Sequence, residues 1–165
     1  MNSDKIILGI DPGTRFTGYA VLKKQSTRSF LVDHGCLRLG ATKPLFERVG
    51  LFHDFFDEVI PKWGVTHCAL ETSFLGKNAQ NFLKLGYLRG ILYRLAHKYD
   101  LVLLEYAPRE VKVAVTGYGG ASKDQVERVV RRLFPAAKFE KQDVSDALAV
   151  TVCGLWKANQ LKMLR

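Results

Sequence analysis

The sequence predicts an α/β fold: a mixed five-stranded sheet flanked by helices on both faces, carried by one domain spanning residues 1–165. Three observations predict it. Strand-like runs follow one another without a helix up to Leu39, short apolar strands then alternate with amphipathic helices, and the chain finishes in helices. A chain of 165 residues buries one core of ordinary thickness and leaves too little for a second.

Taken in order, Ile6-Ile7-Leu8-Gly9-Ile10 is a compact apolar run suited to a strand buried on both faces, and Asp11-Pro12-Gly13-Thr14 ends it with a turn. Residues 17–22 and 29–39 read as two further strands joined by polar turn material, giving an antiparallel three-stranded start. Between Pro44 and Pro61 the apolar Leu45, Val49, Phe52, Phe56 and Ile60 recur at three- and four-residue steps, the period of an amphipathic helix. Residues 65–70 form a buried-type strand ending at Glu71. A long helix over 78–97 and a short strand over 101–104 come next. Helices then fit 109–115 and, after Ser122 as N-cap, 123–133. The last helix begins near Asp143 and carries Leu148, Val152, Leu155 and Trp156. The glycines of residues 116–121 predict the loosest connection in the chain.

Composition narrows the function classes. With 47% hydrophobic and 25% charged residues the chain is globular rather than disordered. No segment reaches the roughly 18 uncharged apolar residues of a membrane span. The N-terminus lacks the basic stretch and cleavage site of a secretory signal, so a cytoplasmic location is expected. Cys36, Cys68 and Cys153 lie far apart in no metal-binding spacing and read as reduced core thiols; the four histidines are scattered and suggest no ligand set. The balance of 25 Lys+Arg against 16 Asp+Glu, a formal +9, favours a polyanionic partner. It is also uneven: Lys77, Lys84, Arg89, Arg94 and Lys98 run with no acid between them, whereas Glu47, Asp54, Asp57 and Glu58 make an acidic stretch. Charge alone does not separate a nuclease from a passive nucleic-acid binder.

The acids add chemistry to that charge. Asp11 and Glu71 each stand at the end of an apolar strand, where open sheets bind ligands. Asp143 and Asp146, three apart at a helix start, share one face and are placed to join the same site. Carboxylates without Cys or His are hard oxygen donors suited to Mg²⁺ or Mn²⁺ rather than Zn²⁺. Two such ions, roughly 3.5–4 Å apart, serve phosphodiester hydrolysis. Singly, each aspartate also reads as a turn former or helix cap, and Glu105 too follows a strand, so spacing alone leaves both readings open.

The segments Gly9-Ile10-Asp11-Pro12-Gly13-Thr14 with Gly18, Leu70-Glu71-Thr72-Ser73-Phe74 leading into Lys77-Asn78-Ala79, and Leu85-Gly86-Tyr87-Leu88-Arg89-Gly90 resemble the RuvC family of Holliday-junction resolvases. Glu105-Tyr106-Ala107-Pro108-Arg109 with Val111-Lys112, Ser122-Lys123-Asp124-Gln125-Val126 after the glycine-rich loop, and Asp143-Val144-Ser145-Asp146-Ala147-Leu148-Ala149 are similar to its later blocks, in the same order. The resemblance covers nearly the whole chain. It implies an RNase H-like fold, a homodimer, and Asp11, Glu71, Asp143 and Asp146 as carboxylates holding two Mg²⁺ per subunit, with Mn²⁺ as a substitute. It further implies paired nicking of opposing strands of four-way junction DNA to give 5′-phosphate ends, alongside a branch-migration motor of the RuvA and RuvB type. Phe74 matches a position that meets bases at the junction, Lys112 and Lys123 match basic residues close to DNA, and Lys77 is a further DNA-binding candidate. Thr72-Ser73 and Leu75-Gly76 depart from the commonest pattern beside the site, which bears on cleavage-sequence preference.

Two readings from other classes compete. The first strand and turn also resemble the phosphate-binding hairpin of ATP-binding proteins of the actin and sugar-kinase fold, but those need a second related domain and a second phosphate loop. A non-catalytic junction-binding protein suits the charge, but not four well-placed acids.

Overall fold

The computed structural model describes residues 5–72, 78–139 and 141–160, with the side chains of 158–160 excepted. Phe74 and Lys77 therefore lie outside the described residues. The elements, in chain order, are β1 (Lys5–Asp11), β2 (Phe16–Gln25), β3 (Arg28–Arg38), α1 (Leu45–Trp63), β4 (His67–Glu71), α2 (Ala79–Lys98), β5 (Val102–Tyr106), α3 (Pro108–Thr116), α4 (Lys123–Leu133) and α5 (Gln142–Gln160). The sheet runs β3-β2-β1-β4-β5. β1, β2 and β3 pair antiparallel, and β4 and β5 join parallel to β1. This is the mixed five-stranded arrangement expected from three leading strands followed by strand–helix alternation.

Central β1 is apolar on both sides because both sheet faces are covered. Leu8, Ile10, Val21 and Leu70 face Phe52 and Phe56 of α1 and Leu88, Leu92 and Leu95 of α2. Ile7, Ala20, Leu22 and Ala69 belong to the other core, with Val111 and Val115 of α3, Val126 and Val130 of α4, and Val144 and Leu148 of α5. The alternation Ile7/Leu8 along one strand divides the apolar residues between these two cores.

Two glycines set how closely α5 lies on the sheet. A Cβ at Gly9 would stand 1.9 Å from Thr151 Oγ1, and one at Gly18 would stand 1.9 Å from the Asp143 carbonyl oxygen. Only a residue without a side chain allows the start of α5 to rest beside the ends of β1 and β2. The Gly9 and Gly18 of the sequence motif thus act through packing.

Element boundaries differ from the sequence reading in instructive ways. α1 continues past Pro61 to Trp63 and ends at Gly64, which adopts a left-handed conformation (φ 62°). Pro61 has no N–H to give the carbonyl one turn earlier, that of Asp57, and the Tyr99 hydroxyl donates to that oxygen instead, at 3.1 Å. β1 and β4 include Asp11 and Glu71 as their last residues. The loop 116–121, expected to be loose, is pinned: Tyr118 N–H donates to Thr116 Oγ1, Ala121 is buried, and Gly119 lies under the Arg109 side chain.

Candidate active site

Parallel pairing of β1 with β4 puts Ile10 opposite Leu70, so Asp11 and Glu71 finish neighbouring strands at the same edge of the sheet. The β1–β2 turn is held by Thr17, fully buried, whose hydroxyl donates to Gly13 O at 3.0 Å and accepts from Gly13 N–H at 3.2 Å. Across from the strand ends stands the first turn of α5, brought close by Gly18. Asp11, Glu71 and Asp146 line one cleft with Lys112 of α3 and Lys123 of α4. Asp143 lines the adjoining pocket, with turn residues 12–16 and the start of α2.

The cleft works against the charge it holds. Burial, then repulsion from Asp146, Asp143 and Glu71, lifts Asp11 from the ordinary aspartate range to about 7. Glu71, although exposed overall, is also raised, first by lost hydration and next by Asp146, with Lys123 and Lys112 pulling the other way. Asp146 is raised chiefly by burial; Lys123 opposes this with its ammonium 3.3 Å from Asp146 Oδ2. The lysine is itself raised by Asp146, Asp11 and Glu71. Lys123 is thus the cation that all three cleft acids feel.

Such a donor set fits a hard divalent cation: all oxygen, crowded enough to repel itself, and raised in pKa for want of positive charge. Among the described residues no three His, Cys, Asp or Glu side chains converge tightly enough to make a ready cage. The side chains stand apart as like charges do. Asp143, expected to join these acids, lines the next pocket instead and reaches them only by repelling Asp11 and Asp146.

Sequence reasoning treated Arg89 as part of a basic surface run, and the structure gives it other work. Its Nη1 donates to Glu71 O at 2.7 Å, and its Nη2 bonds Glu105 Oε1, which also accepts from the Tyr93 hydroxyl at 2.8 Å. Arg89 therefore fixes the end of β4 that presents Glu71. Glu105, the other acid near a strand end, is consumed by this network. Lys98 is likewise engaged by Asp57. The signal for Arg89 was present in the Leu85–Gly90 block, but its partners are distant in sequence. Of the three cysteines expected in the core, Cys68 and Cys153 are buried, with burial pushing them up to about 12 and about 11, whereas Cys36 on β3 is only partly buried.

Comparison with known proteins places this geometry. The family described as crossover junction endodeoxyribonuclease RuvC matches residues 7–154. The chain is 42% identical over 155 residues to the crossover junction endodeoxyribonuclease RuvC of Chloroherpeton thalassium, covering 93% of this chain and 83% of the relative. It is 44% identical over 151 residues to that of Chlorobium phaeobacteroides, covering 91% and 81%. Among solved structures, Thermus thermophilus RuvC superposes with a TM-score of 0.83 at 26% identity, over 94% of this chain and 96% of that one. The same protein in complex with a Holliday junction substrate gives a TM-score of 0.83 at 23% identity, over the same shares.

Proposed function

The chain belongs to the RuvC family of crossover junction endodeoxyribonucleases, and from that premise we propose that it resolves Holliday junctions by paired, symmetric nicking of opposing DNA strands in homologous recombination and repair. Its fold is RNase H-like, and membership of this nuclease family carries a dependence on a divalent metal. The observation that carries the reading is the cleft itself: Asp11, Glu71 and Asp146, at the ends of adjacent parallel strands and one helix, faced by Lys112 and Lys123. A passive binder of polyanions gains nothing from acids held where burial and repulsion lift Asp11 to about 7. A metal-dependent nuclease needs them.

In this reading Asp11, Glu71, Asp143 and Asp146 hold two Mg²⁺ ions, with Mn²⁺ able to replace them. Those ions supply Lewis acidity at the scissile phosphodiester and neutralise the charge of the leaving oxygen. The chain's own residues do the rest. Arg89 holds the backbone of Glu71, and Gly18 lets the first turn of α5 approach Asp11. Lys123, which holds Asp146 in the structure, and Lys112 stand on the rim of the cleft where they would meet a backbone phosphate. Phe74, three residues past Glu71, is assigned to stacking on an unpaired junction base, and Lys77 to the DNA backbone.

The enzyme acts as a homodimer, a symmetry suited to a two-fold substrate. Support comes from α2: opposite its buried Leu88, Leu92 and Leu95 it exposes Leu83 and Tyr87 beside Gly86 and Gly90, where an added Cβ would meet nothing within 4 Å. These glycines are not used for packing on the sheet and leave room for a second helix. A branch-migration motor of the RuvA and RuvB type is the assigned partner, and the cytoplasm the assigned location. Among the described residues no helix is long and apolar enough to cross a membrane.

Substitution of the acids tests the site. Asp11→Asn, Glu71→Gln, Asp143→Asn and Asp146→Asn each remove a ligand charge and keep the shape, so each is expected to abolish nicking of a four-way junction while sparing binding in a gel-shift assay. Near-normal nicking by any one variant would strip that residue of its role; normal nicking by two would remove the site.

A further inference from the structure

Beside the carboxylate cleft lies a second, larger pocket of about 620 Å³. Turn residues 12–16 and the first residues of α2 line it, α1 contributes Arg48, and α5 contributes Asp143. Its cations are Arg15, Arg48 and Lys84, and Asp143 is its one acid among the described residues. Its lining begins at Pro12, directly after Asp11 of the cleft, so the pocket adjoins the cleft where cutting is assigned.

The cations differ in how they are held. Arg48 Nη1 donates to Thr14 O at 2.9 Å, tying α1 to the turn, while its Nε is buried with no hydrogen-bond partner among the described residues. A buried guanidinium donor left in this way calls for an acceptor nearby. Arg89 and Lys98, on the same helix as Lys84, are taken by Glu105 and Asp57. Neither Lys84 nor Arg15 is held in a salt bridge among the described residues. Asn78, Gln80 and Asn81 add amides, and the Asn78 side chain caps α2 by accepting from Asn81 N–H at 3.0 Å. The first turn of α2 carries no acid to offset these charges.

We propose that Arg15, Arg48 and Lys84 form a phosphate seat that takes a non-scissile backbone phosphate of the strand whose neighbouring phosphodiester lies in the carboxylate cleft. This rests on the reading of the chain as a junction nuclease and adds residues to it. The carboxylates of the cleft by themselves repel a phosphate; a cationic pocket next to it holds the strand by a phosphate that is not cut and fixes which phosphodiester enters. Arg15 and Lys84 supply charges held in no salt bridge among the described residues, and Arg48 fixes the wall that Arg15 stands on. Asp143 lines the pocket and repels Asp11 and Asp146 of the cleft.

Binding of a four-way junction in Ca²⁺, with single phosphates in turn replaced by uncharged methylphosphonates, tests the seat without relying on cleavage. The wild type is expected to lose about tenfold in affinity when one phosphate flanking the cleavage position is neutralised. Arg15→Ala/Lys84→Ala should bind the unmodified junction more weakly, flatten the log–log salt dependence by about 0.9 for each lost contact, and become insensitive to methylphosphonate at that one position. Lys84→Ala alone should give an intermediate result, with melting curves confirming that each variant is folded. A double variant that keeps the wild-type salt slope, or that remains as sensitive as the wild type at every phosphate, would overturn the seat. Failure of the wild type to nick the junction in Mg²⁺ would instead overturn the nuclease reading, and the binding pattern would still decide the seat.

Discussion

Asp11 carries the heaviest electrostatic load in the cleft, and its titration has a readable sign. Its pKa stands at about 7 in the folded chain against 3.8 for an unperturbed aspartate. Between those values the folded chain keeps a proton that the unfolded chain has released, so the metal-free protein loses stability as pH rises through that window. In EDTA the melting temperature is expected to fall from about pH 4 to about pH 7, and Asp11→Asn to flatten that fall and to melt higher than wild type at the upper end. Added Mg²⁺ should raise the wild type far more than the variant. Identical pH profiles for the two proteins would show that Asp11 is not the strained group. At this scale the acids were legible because each closes an apolar strand or opens a helix. Arg89 was not, since its partners Glu71 O and Glu105 lie 18 and 16 residues away and only the sheet brings them together. Arg48, which reaches Thr14 across 34 residues, was invisible for the same reason.

Among the elements, α5 decides whether the acids share a site, because Asp143 and Asp146 reach the ends of β1 and β4 only if its first turn lies flat on β2. Gly18 permits this. Gly18→Ala places a methyl 1.9 Å from the Asp143 carbonyl oxygen, and backbone on both sides leaves nothing soft to yield. The expected cost is about 1–3 kcal/mol in thermal or urea unfolding, together with a loss of junction nicking beyond what that destabilisation explains. Nicking at the wild-type rate would mean that the position of α5 is not limiting. The order and type of the elements could be read from hydrophobic period alone, from the run at Ile6 to the spacing of Phe52, Phe56 and Ile60. Their ends could not: Pro61 reads as a stop, yet the Tyr99 hydroxyl satisfies the carbonyl it leaves open, and residues 116–121 read as slack although Thr116 and Arg109 hold them.

For the whole molecule the question is how a basic chain with one acidic cleft acts on a symmetric substrate. In the proposed reading a second copy docks on the apolar stripe of α2. Tyr87→Glu, which places a charge on that stripe without touching the cleft, is expected to shift sedimentation from dimer to monomer at micromolar concentration; a wild type that sediments only as monomer, with and without junction DNA, would contradict the dimer. The partition of charge is consistent with the assigned DNA face: Asp57 and Glu47 on α1 are neutralised by Lys98 and Lys43, whereas Lys112 and Lys123 face the cleft. The central claim is that this cleft resolves junctions. It is tested most directly by incubating the protein in Mg²⁺ with an end-labelled four-way junction, a linear duplex of the same sequence and an RNA/DNA hybrid, and mapping every cut at nucleotide resolution. The account predicts nicks at symmetric positions on two opposing strands of the junction, with 5′-phosphate ends that a ligase seals, and negligible cutting of the other two substrates. Equal cutting of linear duplex or hybrid, or no cutting of the junction by a folded, metal-supplied protein, would contradict it.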